Sequence, residues 1–420
     1  MTHSSFASTE STFSRLFNGV AAVCAGLAVP FIAFGPGGMG VAMAMFILAM
    51  ALSSDRSLFF SYTWHQAFTI VGMAVLFVFA CWLVSALDSF ETGRSLEKWG
   101  RTFFFVFLAV MLWRLLSESS RALELCLRAV IFGSLACGIF ALLCQFFRPE
   151  TPDFLKYSFI GNLFTIQKGY GSVAACLIPV TLVAGFVLGG RWRWLGVICA
   201  PVLFGVVHSI WQPPNVAVIQ SRAGLLGLSG GVLILCFWGL IRALPHHLAW
   251  MVTIVITVLL SWAIISRLPV PPITDETGFK IPFSLIDQHR QIIWGFTLEK
   301  AKAAPWFGHG LDVVNRLPGA DVWIPNFRQE YIPSHPHNWA LEILAETGGI
   351  GFSALVAALF LFLRELVRAT PNIVIAGILA LNGVFWAAGL ANVSFWSAWW
   401  QGTYLLLSAL LMAAMEKEKT

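Results

Sequence analysis

The sequence predicts an all-α polytopic membrane protein of about twelve transmembrane helices, with one large, partly helical loop between the ninth and the tenth. Three observations support this fold class. The 420 residues are 58% hydrophobic and only 11% charged, whereas a soluble domain carries about 25% charged residues. Apolar windows of about 20 residues, enough to cross a bilayer, follow one another along the chain. A single long polar stretch, residues 267–340, interrupts them.

The elements follow from these windows, taken as uninterrupted apolar runs of about 17–25 residues. The windows lie near 16–35, 37–53, 65–87, 102–117, 123–146, 169–189, 194–211, 223–241, 247–266, 341–363, 371–390 and 394–415. The second is short and Arg114 interrupts the fourth, so we expect eleven to thirteen spans. Residues 1–266 are expected to form the first nine helices, 267–340 an outward-facing domain, and 341–420 the last three helices.

The orientation follows from lysine and arginine in the short loops, which are enriched on the cytoplasmic side of a membrane. An even number of spans puts both termini on one side, and that side holds more of these residues than the other. We therefore predict cytoplasmic termini and an outward-facing segment 267–340. The net charge of +5 comes from dispersed residues, so no basic patch for nucleic acid is predicted. Soluble enzymes and disulfide-stapled secreted domains are excluded by composition.

The outward segment, residues 267–340, is expected to fold. Structureless loops beyond about 12–15 residues are uncommon in compact proteins unless they are functional or disordered, and this segment contains many apolar residues. Ser284 followed by Asp287 resembles a capping box, which marks a helix start. A helix is predicted from Leu285 to about Lys302, and Pro305 stops it.

The end of this segment contains the most prominent candidate for catalysis, His337. Proline is favoured in the first turn of a helix, so Pro336 predicts that His337 lies at the start of the tenth span. The positive end of a helix disfavours imidazolium, which favours the neutral histidine that a general base requires. The alternative is a histidine that only marks the membrane interface.

Two arginines are candidates for binding an anion. Arg222 opens the eighth span on the outward side, where an arginine near hydrocarbon is costly unless it is paired; the alternative is snorkelling to the headgroups. Arg290 lies on the predicted outer helix, where arginines are commonly just solvated. Together they could clamp a diphosphate and stabilise the charge on a departing diphosphate. A neutral His337 nearby could take the proton of an attacking hydroxyl.

Metals and other cofactors are not predicted. The outward segment has no D-x-D motif or tight carboxylate cluster of the kind that binds magnesium. His335 and His337 are separated by proline and lack a third ligand nearby. Weaker candidates surround the base. His335 is a supporting site residue. Asn338 is either a helix cap or a group that orients the histidine or binds sugar, and Trp339 and Tyr331 could stack on sugar or lipid.

Several of these residues resemble the motifs of one family. The similarity is carried by Arg222, by Arg290 with Trp294, by the stretch Pro305-Trp306-Phe307-Gly308-His309-Gly310, and by His337-Asn338 with Glu346-Thr347-Gly348-Gly349. These motifs resemble those of the bacterial O-antigen ligase and polymerase superfamily, and they span about residues 220–350. Within it the chain looks most like the O-antigen ligases of the WaaL type, which resemble GT-C glycosyltransferases: multi-span, inverting and independent of metal.

The resemblance implies a reaction, a location and roles. A finished O-antigen glycan would pass from undecaprenyl diphosphate to the sugar core of lipid A, at the periplasmic face of the bacterial inner membrane. By position, His337 would be the base for the acceptor hydroxyl, and Arg222 and Arg290 would hold the diphosphate. The substrates and the surrounding membrane lipids would be the partners. The sequence does not determine the oligomeric state, and a monomer is expected.

Three alternatives remain open. An O-antigen polymerase of the same superfamily commonly has two sizeable outer loops, and this chain has one. A protein-glycosylating oligosaccharyltransferase commonly has an additional soluble C-terminal region, and here only residues 416–420 follow the last window. A transporter would have ionisable residues deep in several spans, whereas here the spans contain few beyond Arg114, Arg128 and His208.

Overall fold

The computed structural model describes residues 12–53, 66–146, 161–211, 223–271, 279–282, 286–324, 327–391 and 393–417. These residues form the α-helices α1 (Thr12–Ala28), α2 (Pro36–Leu52), α3 (Ile70–Leu87), α4 (Thr92–Glu118), α5 (Ser120–Phe146), α6 (Gly161–Leu188), α7 (Gly190–Trp211), α8 (Ala223–Ala243), α9 (His246–Ile265), α10 (Gln288–Ala303), α11 (Trp339–Arg368), α12 (Ile373–Ala388) and α13 (Ala398–Lys417). Short 3-10 turns lie at Pro30–Phe34 and Val314–Arg316. The strands β1 (Trp323–Ile324) and β2 (Gln329–Glu330) pair antiparallel.

The all-α class is confirmed, and each of the twelve predicted apolar windows overlaps a different helix. The remaining helix, α10, is the one predicted in the outward segment. Its N-cap is Asp287, whose carboxylate accepts a hydrogen bond from the Arg290 backbone N–H at 2.9 Å. Ser284, the other half of the predicted capping box, lies outside the described residues.

The number of membrane spans remains a prediction. Among the described residues, seven helices are long and apolar enough to cross a membrane, by length and composition: α3, α4, α5, α6, α7, α8 and α11. Shorter apolar helices lie at Phe13–Ala28, Pro36–Leu52, Trp250–Ile265 and Ile373–Ala388. The chain is therefore a multi-pass membrane protein, and the count of twelve and the outward placement of residues 267–340 are still expectations.

One local expectation about the windows is wrong. The predicted window 16–35 is not one helix, because α1 ends at Ala28 and a 3-10 turn follows at Pro30–Phe34; proline cannot donate the hydrogen bond that would continue α1. Arg114, the charge that interrupts the fourth apolar window, lies within a continuous helix, α4. Its guanidinium pairs with Glu118 one turn later at 2.8 Å, which offsets the cost of the buried charge.

The chain forms two compact units. The first comprises residues 1–66, 107–209 and 405–420, and the second comprises 67–106 and 210–404. In the first unit, small residues allow helices to pack backbone against backbone. A Cβ on Gly26 of α1 would lie 2.6 Å from the carbonyl oxygen of Cys126 in α5.

The second unit contains a close helix pair, α8 and α12, that is important for the site. Gly227 of α8 lies against Ala388, and Gly231, one turn later, lies against the carbonyl of Ala380. The contacts descend along α12 as they ascend along α8, so the two helices are antiparallel. The start of α8 therefore lies beside the end of α12.

The outward segment shares its hydrophobic core with the start of α11. Buried residues from α10, the strand region and the first two turns of α11 form one cluster: Ile292, Ile293, Trp294, Phe296, Ile324, Tyr331, Ile332, Leu341 and Ala345. Burying such side chains contributes about 1.5–3 kcal/mol each. This packing fixes α10 against the beginning of α11, where the candidate base was predicted.

Candidate functional site

The start of α11 lies where the sequence predicted it. Asn338 is the N-cap, and its side-chain oxygen accepts hydrogen bonds from the backbone N–H groups of Ala340 at 3.0 Å and Leu341 at 3.2 Å. The capping role of Asn338 is therefore observed, and His337 immediately precedes it. Pro336 does not occupy the first helical turn, because the helix begins only at Trp339. Its position is explained by a hydrogen bond from Trp294, described below.

His337 has an unusual backbone conformation. Its φ of +56° lies in the left-handed region, which residues other than glycine seldom adopt and which costs about 1–3 kcal/mol. The half-buried ring packs against that of His335, with 4.1 Å between centroids and a 54° tilt. Backbone strain of this kind occurs preferentially at functional sites, which agrees with the choice of His337 from the sequence.

Two hydrogen bonds attach α10 to the segment that carries His337. The Trp294 indole N–H donates to the carbonyl of Pro336 at 3.0 Å. Nε2 of His289 donates to the carbonyl of Glu330 at 3.2 Å. Burial lowers the pKa of His289, although the bond to Glu330 opposes the shift. The proline predicted to begin a helix thus supplies a carbonyl that positions α10 next to His337.

Arg290 lies one helical turn before Trp294, so the two side chains share a face of α10. Its guanidinium forms an ion pair with Asp287 at 3.2 Å and is only partly exposed. A guanidinium has five N–H donors, so this pairing leaves donors for another anion. Because Trp294 contacts Pro336, the face of α10 that carries Arg290 is turned toward the segment of His337.

Arg222, the second predicted arginine, lies outside the described residues. The residue after it, Ala223, begins α8, and this end of α8 lies beside the end of α12. There the backbone N–H of Trp339 donates to the carbonyl of Gly389, just past α12, at 3.1 Å. The start of α8 and the start of α11 are therefore at the same end of this helix pair.

Trp339 and Tyr331 pack within the protein. The Trp339 indole N–H donates to the carbonyl of Trp386 at 2.9 Å, and the two rings are 4.8 Å apart. Tyr331 is buried, with its ring 5.8 Å from that of Phe296. Both residues hold the start of α11 in place; stacking on sugar remains a prediction.

Two buried glutamates, Glu342 and Glu346, lie on the first turns of α11; the sequence predicted no role for either of them. Glu342 accepts hydrogen bonds from the Ser394 hydroxyl at 2.6 Å and from the backbone N–H of Phe395 at 2.7 Å. Carboxylates four residues apart at the start of an apolar span are costly unless they are paired. That spacing, in Glu342 and Glu346, was the available signal.

Glu346 binds a different loop. Its carboxylate accepts the consecutive backbone N–H groups of Asp312 at 2.8 Å, Val313 at 2.8 Å and Val314 at 3.1 Å. The Trp396 indole N–H donates to it as well. The two glutamates thus attach two distant loops to α11. One loop precedes the helix in the chain, and the other follows it.

The loops that contain residues 312–314 and 394–396 border an open polar cleft of about 270 Å³. Its lining residues are Lys98, Arg101, Asp312, Ser334, His335, Ser394, Trp396, Ser397 and Ala398. Lys98 and Arg101, both on α4, have no role predicted from the sequence. The structure brings them together with His335, whose ring contacts His337.

The glycine motifs of the sequence pack against each other. α11 is broken at Gly348, where φ is +65°. The stretch 305–310 crosses the break and forms four backbone hydrogen bonds: His309 N–H to Ala345 at 3.1 Å, Gly310 N–H to Glu346 at 2.9 Å, Gly349 N–H to Pro305 at 2.8 Å and Ile350 N–H to Trp306 at 3.2 Å. The two motifs, residues 305–310 and 346–349, are thus held together by backbone hydrogen bonds.

No group of three histidine, cysteine, aspartate or glutamate side chains converges to hold a metal ion within the part of the chain that the structure describes. His335 and His337 are neighbours, but they lack a third ligand among those residues. A structural zinc site takes four protein ligands and a catalytic one three. Metal independence itself remains a prediction.

Comparison with known proteins shows that part of the chain is similar to one family. Residues 215–356 match the sequence model of the family described as O-antigen ligase. The match includes Arg222, Arg290, His337, Glu342 and Glu346. This stretch is similar to the O-antigen ligase family, as the motif resemblance predicted.

Similar proteins occur in Rickettsia, each provisionally named a polysaccharide ligase. The protein of Rickettsia prowazekii (strain Madrid E) is 24% identical, over 80% of this chain and 79% of its own length. That of Rickettsia typhi (strain ATCC VR-144 / Wilmington) is 26% identical, over 67% of each chain. That of Rickettsia conorii (strain ATCC VR-613 / Malish 7) is 24% identical, over 81% of this chain and 79% of its own length.

Proposed function

We propose that this chain is an O-antigen ligase, a membrane glycosyltransferase of the bacterial inner membrane. It transfers O-antigen polysaccharide from undecaprenyl diphosphate to the lipid A-core oligosaccharide at the periplasmic face. The observation that carries this proposal is the 3.0 Å hydrogen bond from Trp294 to Pro336. It joins the helix of Arg290 to the segment of His337, within the residues that match the O-antigen ligase family.

His337 acts as the general base in this reaction. The acceptor hydroxyl oxygen bonds to the anomeric carbon of the glycan while the bond from that carbon to the diphosphate oxygen breaks. His337 takes the hydroxyl proton, and the electron pair of the broken bond leaves on the diphosphate. Attack opposite the leaving group inverts the anomeric centre. Positioned general bases contribute about 10²–10⁴ in rate.

Arg222 and Arg290 stabilise the leaving diphosphate. Preorganised cationic donors are most effective where charge develops in the transition state. A charge-assisted hydrogen bond contributes about 1.5–3 kcal/mol, which corresponds to about 10–150-fold in rate. The diphosphate is a good leaving group, so the reaction does not require a protonating acid.

The test is glycan transfer by purified protein, with lipid-linked glycan and rough lipopolysaccharide as substrates. We expect His337→Ala to lower the rate by about 10²–10⁴, and Arg222→Ala and Arg290→Ala each by about 10–150-fold. Arg316→Ala removes a half-exposed arginine that pairs with Glu91 at 3.4 Å and should keep the wild-type rate. Wild-type rates in the first three variants would reject the proposed roles.

Two further observations separate this proposal from its alternatives. Transfer should continue in the presence of a chelator, and a loss of activity that added metal restores would contradict the metal-free reaction. A strain lacking the protein should accumulate long polymer on its lipid carrier. A single repeat unit attached to lipid A core would instead identify a polymerase.

A further inference from the structure

We propose that the cleft lined by Lys98, Arg101 and His335 binds an anionic, phosphate-class group carried by the acceptor saccharide. Assignment to the acceptor rests on the proposed function, whereas the anion binding itself does not. Arg290, assigned to the donor diphosphate, is not among the described residues that line the cleft. The cleft is therefore a cationic site distinct from that of Arg290, beside the proposed base.

The two cations of the cleft keep unused hydrogen-bond donors. The Lys98 ammonium donates to Glu97 at 3.2 Å and lies 3.5 Å from the Asp312 carboxylate. The Arg101 guanidinium donates to the carbonyl of Trp396 and is 3.9 Å from Glu97. An ammonium has three N–H donors and a guanidinium five, so both groups can bind a further anion.

The carboxylates near the cleft neutralise these cations only in part. Asp312 also pairs with Arg94 at 2.8 Å, and the side chain of Glu97 is 62% exposed, so water screens its charge. The buried Glu342 and Glu346 are bonded to loop N–H or O–H donors. Among the described lining residues, the cationic side chains of Lys98 and Arg101 thus face one carboxylate, that of Asp312.

Hydrogen bonds to the buried glutamates fix the walls of the cleft. Ser394 donates to Glu342 and accepts the backbone N–H of Trp396 at 3.1 Å. Asp312 and Trp396 both donate to Glu346. A site whose lining is held by such bonds loses little conformational freedom when it binds a ligand.

The size and place of the cleft suit one phosphorylated sugar of an acceptor. Its volume of about 270 Å³ is just below the roughly 300–1,000 Å³ of pockets for drug-sized ligands. His335 lines the cleft, and its ring is 4.1 Å from that of His337. A saccharide anchored there by its phosphate would present a neighbouring hydroxyl to the proposed base.

The direct test is equilibrium binding of glucose 6-phosphate and glucose to the purified full chain in detergent. Wild-type protein should bind the phosphate more tightly than the free sugar. The double variant Lys98→Gln/Arg101→Gln should lose at least about tenfold in affinity for the phosphate. Lys302→Gln/Arg316→Gln, which removes two exposed surface cations, should bind as wild type does.

A second variant separates charge from folding. Lys98→Arg/Arg101→Lys keeps both charges and should keep most of the affinity. Equal phosphate binding by wild type and Lys98→Gln/Arg101→Gln would overturn the proposal. Equal weakening in the charge-preserving variant and in Lys98→Gln/Arg101→Gln would also overturn it, because charge would then not be the cause.

Transfer kinetics then identify the substrate that carries the anion. In Lys98→Gln/Arg101→Gln, the KM for lipopolysaccharide with a phosphorylated core should rise about tenfold or more. The KM for dephosphorylated lipopolysaccharide and for the lipid-linked donor should change little. A rise confined to the donor KM would overturn the acceptor assignment. If wild-type protein bound glucose 6-phosphate but transferred no glycan, the proposed function would fail and the anion site would stand.

Discussion

At the scale of single residues, His337 has the most constrained position in the site. The carbonyl of Pro336 is held by Trp294, and Asn338 is held as the N-cap of α11. The chain must turn between these two fixed points, and His337 takes the left-handed conformation that the turn requires. Glycine would adopt this conformation without strain, so the imidazole is retained at a cost in stability.

This strain predicts opposite effects on stability and activity. His337→Gly should raise the stability of the protein by about 1 kcal/mol, because glycine relieves the left-handed conformation, and should lower transfer as strongly as His337→Ala does. Thermal unfolding in detergent and the transfer assay measure the two effects. A clear loss of thermal stability, or retention of transfer, in His337→Gly would contradict the interpretation.

The sequence could predict only part of this site. His337 and Asn338 were accessible because they are local: a polar stretch followed by an apolar helix marks a cap. The partners of Glu342 and Glu346 were not, because they come from residues 312–314 and 394–396. No local pattern links such distant segments, and the cleft exists only when they meet.

At the scale of elements, the broken helix α11 organises the outward side. Because α11 is broken at Gly348, backbone groups on both sides of the break form hydrogen bonds with the crossing stretch 305–310. Buried backbone groups require such partners. The pairing holds the first turns of α11, which carry both buried glutamates, against the outward segment.

The crossing predicts a strict requirement for glycine. At Gly348 a Cβ would lie 2.2 Å from the carbonyl oxygen of Trp306, with φ at +65°. Gly348→Ala should therefore lower the free energy of unfolding by about 2–5 kcal/mol. Gly239, within α8, has no atoms within 4 Å of the added Cβ, so Gly239→Ala should be neutral or stabilising by up to about 1 kcal/mol. Thermal unfolding of both variants checks this; a wild-type melting temperature for Gly348→Ala would refute it.

Hydropathy predicted where the helices lie, because burial in lipid requires apolar runs. It could not predict how they are interrupted. The 3-10 turn after Ala28 and the break at Gly348 both lie within predicted apolar windows, and a hydropathy averaged over the window does not register them. Their cause is in the first case a proline without an N–H, and in the second a backbone crossing from a distant segment.

At the scale of the whole molecule, the orientation in the membrane is the main open prediction. It depends on the distribution of lysine and arginine between the short loops. If it is right, the start of α11 and the cleft face the periplasm, where lipid-linked glycan and lipopolysaccharide would meet. The basic residues on the cytoplasmic side would then fix the orientation, and those on the periplasmic side would bind substrate.

Reporter fusions test this orientation. Alkaline phosphatase fused after Asp321, in the outward segment, should be active, because the enzyme requires export to the periplasm. The same reporter fused after Gly189, between α6 and α7, should be inactive. Green fluorescent protein fused after Thr420 should fluoresce, since it matures in the cytoplasm. The reverse pattern would place residues 267–340 in the cytoplasm and remove the basis for the proposed substrates.

The two buried glutamates also bear on the order of biosynthesis. The backbone groups that bind Glu346 precede α11 in the chain, so they are already translated when α11 emerges from the ribosome. Ser394, which binds Glu342, follows 52 residues later. Until then Glu342 lacks its donors Ser394 and Phe395, and Glu346 lacks the indole N–H of Trp396. The cleft is therefore completed only in chains translated through Ala398, after α12 has been made.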